Sequence, residues 1–285
     1  MDSPVKLRQR QNWDAISAGW ESAMTVFERG ARPVTDRLLD WGGVRPGQHV
    51  LDLGTGVGEP AATAARAVSP GGRVVAMDIS PAMLEAARRH AGGLDNVEFT
   101  LGDMEDIPLP AGSLDVVLSR WGLMFSEDPD AAFRSVARVL RPGGVLAAAV
   151  WSTPDRVPMM SLGYRVLSER LELPAPPPGT PGPYTLSDPD QLARRLSAAG
   201  FHDVRVEEFV VPFRPASAAE YVGFTRATIP PLLRERIAER CGSADDPETW
   251  AAVGAAAERH ADGAGLSLPS TALTVRAVAG PALAR

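Results

Sequence analysis

Residues 50–58 read VLDLGTGVG, an apolar run with one acid that passes directly into Gly54, Gly56 and Gly58 at alternate positions. Such a run reads as a buried strand, HVLDLG at 49–54. A glycine-rich turn behind it either brings backbone close to something or adopts angles that a Cβ forbids. A dinucleotide turn is written G-x-G-x-x-G, its third glycine letting a helix N-terminus pack closely while it holds a pyrophosphate. Here that third position is Glu59. A carboxylate there repels a diphosphate, so the expected ligand is less negative.

Working outward, short apolar runs alternate with helical patterns from about 46 to 152, the signature of β-α units around a parallel sheet. Strands are expected at HVLDLG (49–54), RVVAMD (73–78), VEFTLG (97–102), LDVVLS (114–119) and GVLAAAVW (144–151). Several are apolar throughout, as strands covered on both faces are. The helices between them carry their own start signals: Pro60 near a first turn, Ser80 before Pro81, Asp128 before Pro129. RPGG, from Arg141, reads as a stop. Further on, a Pro-rich connector (174–183) is expected to be an extended spacer. DPDQLARRLSAAG and HDVRVEEFVVPF then give a helix and a strand, 216–262 returns to helix, and LPSTALTVRAVAG supplies a last strand.

The expected fold class is therefore α/β, a Rossmann-like, seven-stranded, mostly parallel sheet with helices on both faces and helical cap insertions. The 285 residues divide as one domain: an N-terminal helical lid (1–40), the core (41–152), a cap insertion with the Pro-rich connector (153–187), a core helix and strand (188–213), a second helical cap (214–265) and the last strand (266–285).

Composition narrows the partners. A formal charge of −6 works against nucleic acid, whose binding draws on clustered Lys and Arg. A small-molecule ligand fits better. Cys241 is alone, so neither an intramolecular disulfide nor a C-x-x-C metal site is expected. With a polar N-terminus and no apolar run of spanning length, the reading is a cytoplasmic protein off the membrane, monomer or homodimer, without a metal.

Two acids deepen the ligand question. Asp78 ends the second strand, 20 residues beyond Gly58, where a carboxylate accepts hydrogen bonds from ribose hydroxyls. Asp103, in GDM after the third strand, lies at the same carboxyl edge, where it can accept from an adenine amine or serve as a turn residue.

HVLDLGTGVG, AMDISPAMLEAARR, GDMEDIPLP, DVVLSRWGLMF and LRPGG, in that order, resemble the motifs of class I S-adenosylmethionine-dependent methyltransferases, and most nearly the small-molecule type related to ubiquinone and menaquinone biosynthesis enzymes. The resemblance covers about 40–152. It implies S-adenosyl-L-methionine as cofactor and S-adenosyl-L-homocysteine as product. It also implies that Gly54, Thr55 and Gly56 wrap the methionine portion and Asp78 holds the ribose. Ile79 and Met83 would sandwich the adenine, although plain packing also accounts for both. Asp103 would bind the adenine amine, the Met104 N–H a ring nitrogen, and Ser119 would face the sulfonium. Asp52 would organise the glycine loop.

Trp13, Ile16 and Trp20 form one helical stripe, either core or a lid over the cofactor with Trp20 as its contact. Candidate acceptor-pocket residues are Arg120, Trp121, Met124, Trp151, Tyr184, Tyr221 and Phe224. Arg120 would grip an acidic substrate or the cofactor carboxylate, or form a surface ion pair. The Trp and Met content favours an apolar or aromatic acceptor, with secondary metabolism as one setting. No catalytic residue is assigned: His49 starts a strand, His90 ends a helix, His202 sits in a turn, and His260 on a cap helix is the remaining candidate base. The expected reaction is methyl transfer to an O, N or C atom of a small molecule. The rivals are an NAD-dependent oxidoreductase, disfavoured by Glu59, and a cyclase or binding module that keeps the cofactor without transferring methyl.

Overall fold

A computed structural model describes residues 3–174 and 180–281. Seven strands, β1 (His49–Leu53), β2 (Arg73–Asp78), β3 (Val97–Leu101), β4 (Leu114–Arg120), β5 (Leu140–Trp151), β6 (Phe201–Val211) and β7 (Ser270–Ala279), form one sheet in the order β3-β2-β1-β4-β5-β7-β6. Neighbours from β3 to β5 pair in parallel, and β7 lies antiparallel between β5 and β6. The sheet is thus the mostly parallel one that the sequence predicts. Strand order reverses between β1 and β4, and the splayed carboxyl ends there open the crevice where α/β sheets bind ligands.

The strands begin and end within about two residues of their expected positions, except that β5 starts four residues early. Leu140 pairs with Leu114 before a register shift, and the RPGG stretch is carried inside the strand. The helix before it, α4 (Pro129–Val139), does stop there. His202 belongs to β6 beside a register irregularity rather than to a turn.

Helix starts follow the caps. In α3 (Pro81–His90) the Ser80 hydroxyl accepts from the Met83 N–H at 3.1 Å; Asp128 and Asp188 cap α4 and α6 (Pro189–Ala198) in the same manner. Pro60 is the residue immediately before α2 (Ala61–Val68), next to its first turn.

The N-terminal helix α1 (Pro4–Gly42) is one 39-residue element that runs two residues past the expected end of the lid at 40. Its two halves do different things. Ala31, Val34 and Leu38 are fully buried against the sheet, so the second half is core. The first half crosses the crevice. The caps are α5 (Pro158–Arg170) in the first insertion and α7 (Ala218–Thr228), α8 (Pro231–Cys241) and α9 (Pro247–Glu258) in the second. Gly19 of α1 lies so close to α7 that a Cβ would overlap the Ala227 carbonyl oxygen. No described helix is long and apolar enough to cross a membrane.

Candidate functional site: one cavity over the switch point

The glycine loop is held from beneath by Asp52. This wholly buried carboxylate accepts through one oxygen from the Thr55 hydroxyl (2.6 Å) and the Ala61 N–H (3.0 Å), tying the loop to the start of α2. Its other oxygen has no hydrogen-bond partner among the described residues. Burial pushes its pKa up to about 7, against the opposing pull of Thr55, Arg120 and Ala61. The loop itself runs through the left-handed region, with φ of 73°, 55° and 105° at Gly54, Gly56 and Gly58. Around Gly56 a Cβ would meet nothing within 4 Å, so its backbone borders open space.

That space is a cavity of about 700 Å³. At one end it is lined by Gly54, Thr55, Gly56, Asp78, Ile79, Met83, Asp103 and Met104, which the sequence reading groups around a nucleoside. Asp78 accepts from the Gly56 N–H and the Ser80 N–H, each at 2.9 Å, which fixes its carboxylate at the rim. Burial raises its pKa, and these N–H groups counter the rise. Asp103 is engaged more heavily than expected. Lys6 of α1 reaches across the cavity to Asp103 (2.6 Å) and Glu105 (2.5 Å). Burial works against the Lys6 charge, but its two carboxylate partners outweigh burial and raise its pKa.

Trp13, Ile16 and Trp20 all line the cavity, so the stripe is a wall as well as packing. The wall extends further than three residues: Lys6, Gln9, Met24, Phe27 and Glu28 continue it along about 33 Å of helix. Their i+3/i+4 spacing was available in the sequence, but only the apolar core of the stripe stands out by hydropathy. Asp14 adds a further tie, accepting from the Ser80 hydroxyl (2.5 Å) and the Ala82 N–H (3.2 Å).

At the other end, Arg120, Trp121, Met124, Trp151, Tyr184 and Phe224 line the same cavity. They are joined by Met159, Met160 and Tyr164 from α5, and by Thr228 and Ile229 at the end of α7. Of the Pro-rich stretch, residues 175–179 lie outside the described residues, while Thr180–Thr185 contribute to the cavity wall rather than acting as a mere spacer. Arg120 lines the cavity but is not at the surface: Glu28 pairs with its two terminal nitrogens, which also donate to Thr35 and the Glu59 carbonyl, while its buried Nε–H has no partner among the described residues.

Two candidates are displaced. Ser119 is fully buried and does not line the cavity; its hydroxyl donates to the Leu53 carbonyl at 2.8 Å, bridging β4 to β1. Alternation along β4 turns it inward when Arg120 faces α1. Tyr221 is also absent from the cavity lining. It is fully buried, and its hydroxyl accepts from the Gly163 N–H at 2.9 Å, locking α7 to α5. His260 lies in the turn after α9, outside the cavity lining. His90 is the histidine that comes near: its ring stands 3.3 Å from Glu59, which does line the cavity. Burial raises the Tyr184 phenol and pushes Tyr221 up to about 12, so both stay protonated.

Residues 51–148 match the family described as Methyltransferase domain. Nocamycin O-methyltransferase of Saccharothrix syringae is 35% identical over 205 residues, covering 68% of this chain and 73% of that protein. The ubiquinone/menaquinone biosynthesis C-methyltransferase UbiE of Hahella chejuensis is 36% identical over 161 residues, covering 55% of this chain and 64% of the relative. This chain thus spans less than two thirds of that relative's length, and 56% of another's. Among solved structures, the [4+2]-cyclase SpnF superposes over 99% of this chain and 98% of its own with a TM-score of 0.63. At 20% identity that is a likeness of fold.

Proposed function

Because this chain belongs to the class I S-adenosylmethionine-dependent methyltransferases related to the ubiquinone/menaquinone C-methyltransferases, we propose that it transfers a methyl group from S-adenosyl-L-methionine to a small-molecule acceptor, releasing S-adenosyl-L-homocysteine. The observation that carries this reading is a single cavity joining the glycine loop and the Asp78 rim to an aromatic chamber. Donor and acceptor would share one enclosed space.

The residues fit the cofactor. Open space over the Gly56 backbone suits close approach of an amino-acid tail, and Glu59 excludes the diphosphate that a dinucleotide would bring. Gly54, Thr55 and Gly56 would hold the methionine portion, Asp78 the ribose, Ile79 and Met83 the adenine faces, and Asp103 and Met104 its edge. When bound, the cofactor supplies an electrophilic methyl on a sulfonium. The protein's part is then alignment and exclusion of water, the main needs of an in-line displacement. Asp52 fixes the loop, α1 closes the side of the cavity, and α5 and α7 cap the acceptor end. We place the protein in the cytoplasm, as monomer or homodimer, with no nucleic-acid partner.

Calorimetric titration with S-adenosylhomocysteine and, separately, NADH tests the cofactor. Micromolar binding of the first and none of the second is expected, and preferential NADH binding would overturn the proposal. Turnover is tested by S-adenosylhomocysteine release on incubation with candidate acceptors.

A further inference from the structure

The acceptor end of the cavity has two features that its lining alone does not explain. The first is a rigid aromatic wall. Phe27 lies parallel to Phe224 (2° between planes, centroids 6.0 Å apart) and meets Trp20 and Trp121 edge-on at 5.4 and 5.1 Å. Trp121 in turn stacks on Trp151 at 4.3 Å. Trp121 also holds a φ of 61°, a left-handed conformation that costs a bulky residue energy and persists only where its surroundings impose it. The stack on Trp151 and the hydrogen bond from the Trp121 N–H to the Ala149 carbonyl (2.8 Å) do so. These rings brace each other, so the chamber is preformed and suited to a flat, apolar body.

The second feature is how charge is disposed there. Among the described residues lining the cavity the cations are Lys6, at the Asp103 end, and Arg120. Arg120 would be the natural partner for an anionic acceptor, but Glu28 already occupies it. One nitrogen of its fork donates to Glu28 (2.9 Å) and Thr35 (2.7 Å), the other to Glu28 and the Glu59 carbonyl (3.3 Å). The guanidinium also lies 5.3 Å from the Trp121 ring centroid. A carboxylate or phosphate entering the chamber would lose its water, meet an Arg120 whose two terminal nitrogens are taken and whose remaining N–H, at Nε, is buried without a partner among the described residues, and face the Glu28 charge. An unpaired buried anion is strongly disfavoured.

We propose that this pair acts as a charge filter: the acceptor is an aromatic or conjugated molecule without an anionic group, and Glu28, by occupying Arg120, is the residue that excludes anionic ones. This rests on the methyl-transfer reading above. Glu28 sits on α1 and Arg120 at the end of β4, so the filter exists only when α1 lies across the sheet.

Three probes of one shape and different charge test it: 2-naphthol, 2-naphthoate and 2-naphthylmethylammonium. Each is titrated into the full chain saturated with S-adenosylhomocysteine, with binding read by indole fluorescence or calorimetry. The wild type should bind 2-naphthol at least about tenfold more tightly than 2-naphthoate, equivalent to about 1.4 kcal/mol, and 2-naphthylmethylammonium more tightly than 2-naphthoate. Glu28→Gln frees the guanidinium and should tighten 2-naphthoate by about tenfold or more. The double variant Glu28→Gln/Arg120→Gln should lose that gain. A smaller wild-type preference, binding of none of the probes, or no gain for 2-naphthoate in a folded Glu28→Gln protein overturns the proposal. If that variant does not fold, the wild-type comparison decides alone. S-adenosylhomocysteine affinity is measured first: its absence would sink the methyl-transfer reading, whereas its presence with charge-blind acceptor binding would sink only the filter.

Discussion

Asp52→Asn should change how stability depends on pH. Asp52 is wholly buried, one of its oxygens has no partner among the described residues, and its carboxyl is pushed from 3.8 up to about 7. Between those values the folded protein holds a proton that the unfolded chain has released. The contribution to stability is therefore full below about pH 4 and is lost as pH rises through about 7. At about 1.4 kcal/mol per pH unit, that rise is worth about 4 kcal/mol over the whole range, of which about 2 to 3 kcal/mol falls between pH 5 and 8. Asparagine keeps an acceptor for Thr55 and Ala61 but carries no titratable proton. Urea unfolding of both proteins at pH 5, 6, 7 and 8, fitted for the free energy of unfolding, gives the difference curve. The advantage of wild type over Asp52→Asn should shrink by those few kcal/mol across the series. A constant difference, or one that grows with pH, would refute the assignment of a neutral carboxyl under the loop. Absolute stabilities do not enter, since a buried amide NH₂ without a partner penalises the variant equally at every pH.

Other substitutions test separate parts of the architecture. Asp78→Ala removes the acceptor of two backbone N–H groups at the cavity rim and should weaken S-adenosylhomocysteine binding by about 10- to 100-fold, the loss of one hydrogen bond to a charged group worth about 1.5 to 3 kcal/mol; unchanged calorimetric affinity would contradict it. Ser119→Ala should leave that affinity within error and cost about 1 kcal/mol of stability, because its hydroxyl bridges β4 to β1 rather than facing the cavity. Gly19→Ala should cost about 1 to 3 kcal/mol, since a Cβ would overlap backbone of α7 that cannot swing aside. A melting temperature equal to wild type would show that the α1–α7 approach is looser than described.

The local grammar of the chain was enough for the sheet. Period, caps and the glycine turn are nearest-neighbour properties, and they placed the strands and the rim residues Gly54, Gly56, Asp78 and Asp103 on adjacent β-ends. Arg120, Trp121, Met124, Trp151 and Phe224 were also legible, because residues just past a strand end, or large aromatics in an insertion, tend to face the crevice. What the sequence could not supply is which side of a strand or helix meets which neighbour. Ser119 and Arg120 are adjacent, yet one is turned inward and the other toward α1. Tyr221 and Phe224 share α7, yet one locks α5 and the other lines the cavity.

Lys6 with Asp103, Glu28 with Arg120, and Gly19 against Ala227 join positions separated by scores of residues. No local pattern encodes such pairs; they arise when a long helix is laid across a finished sheet. Written along the chain itself were the glycine turn and the carboxylate that stands where a diphosphate site needs glycine. The charge left available at the acceptor end was decided by packing, because whether a guanidinium is free depends on what comes to lie beside it.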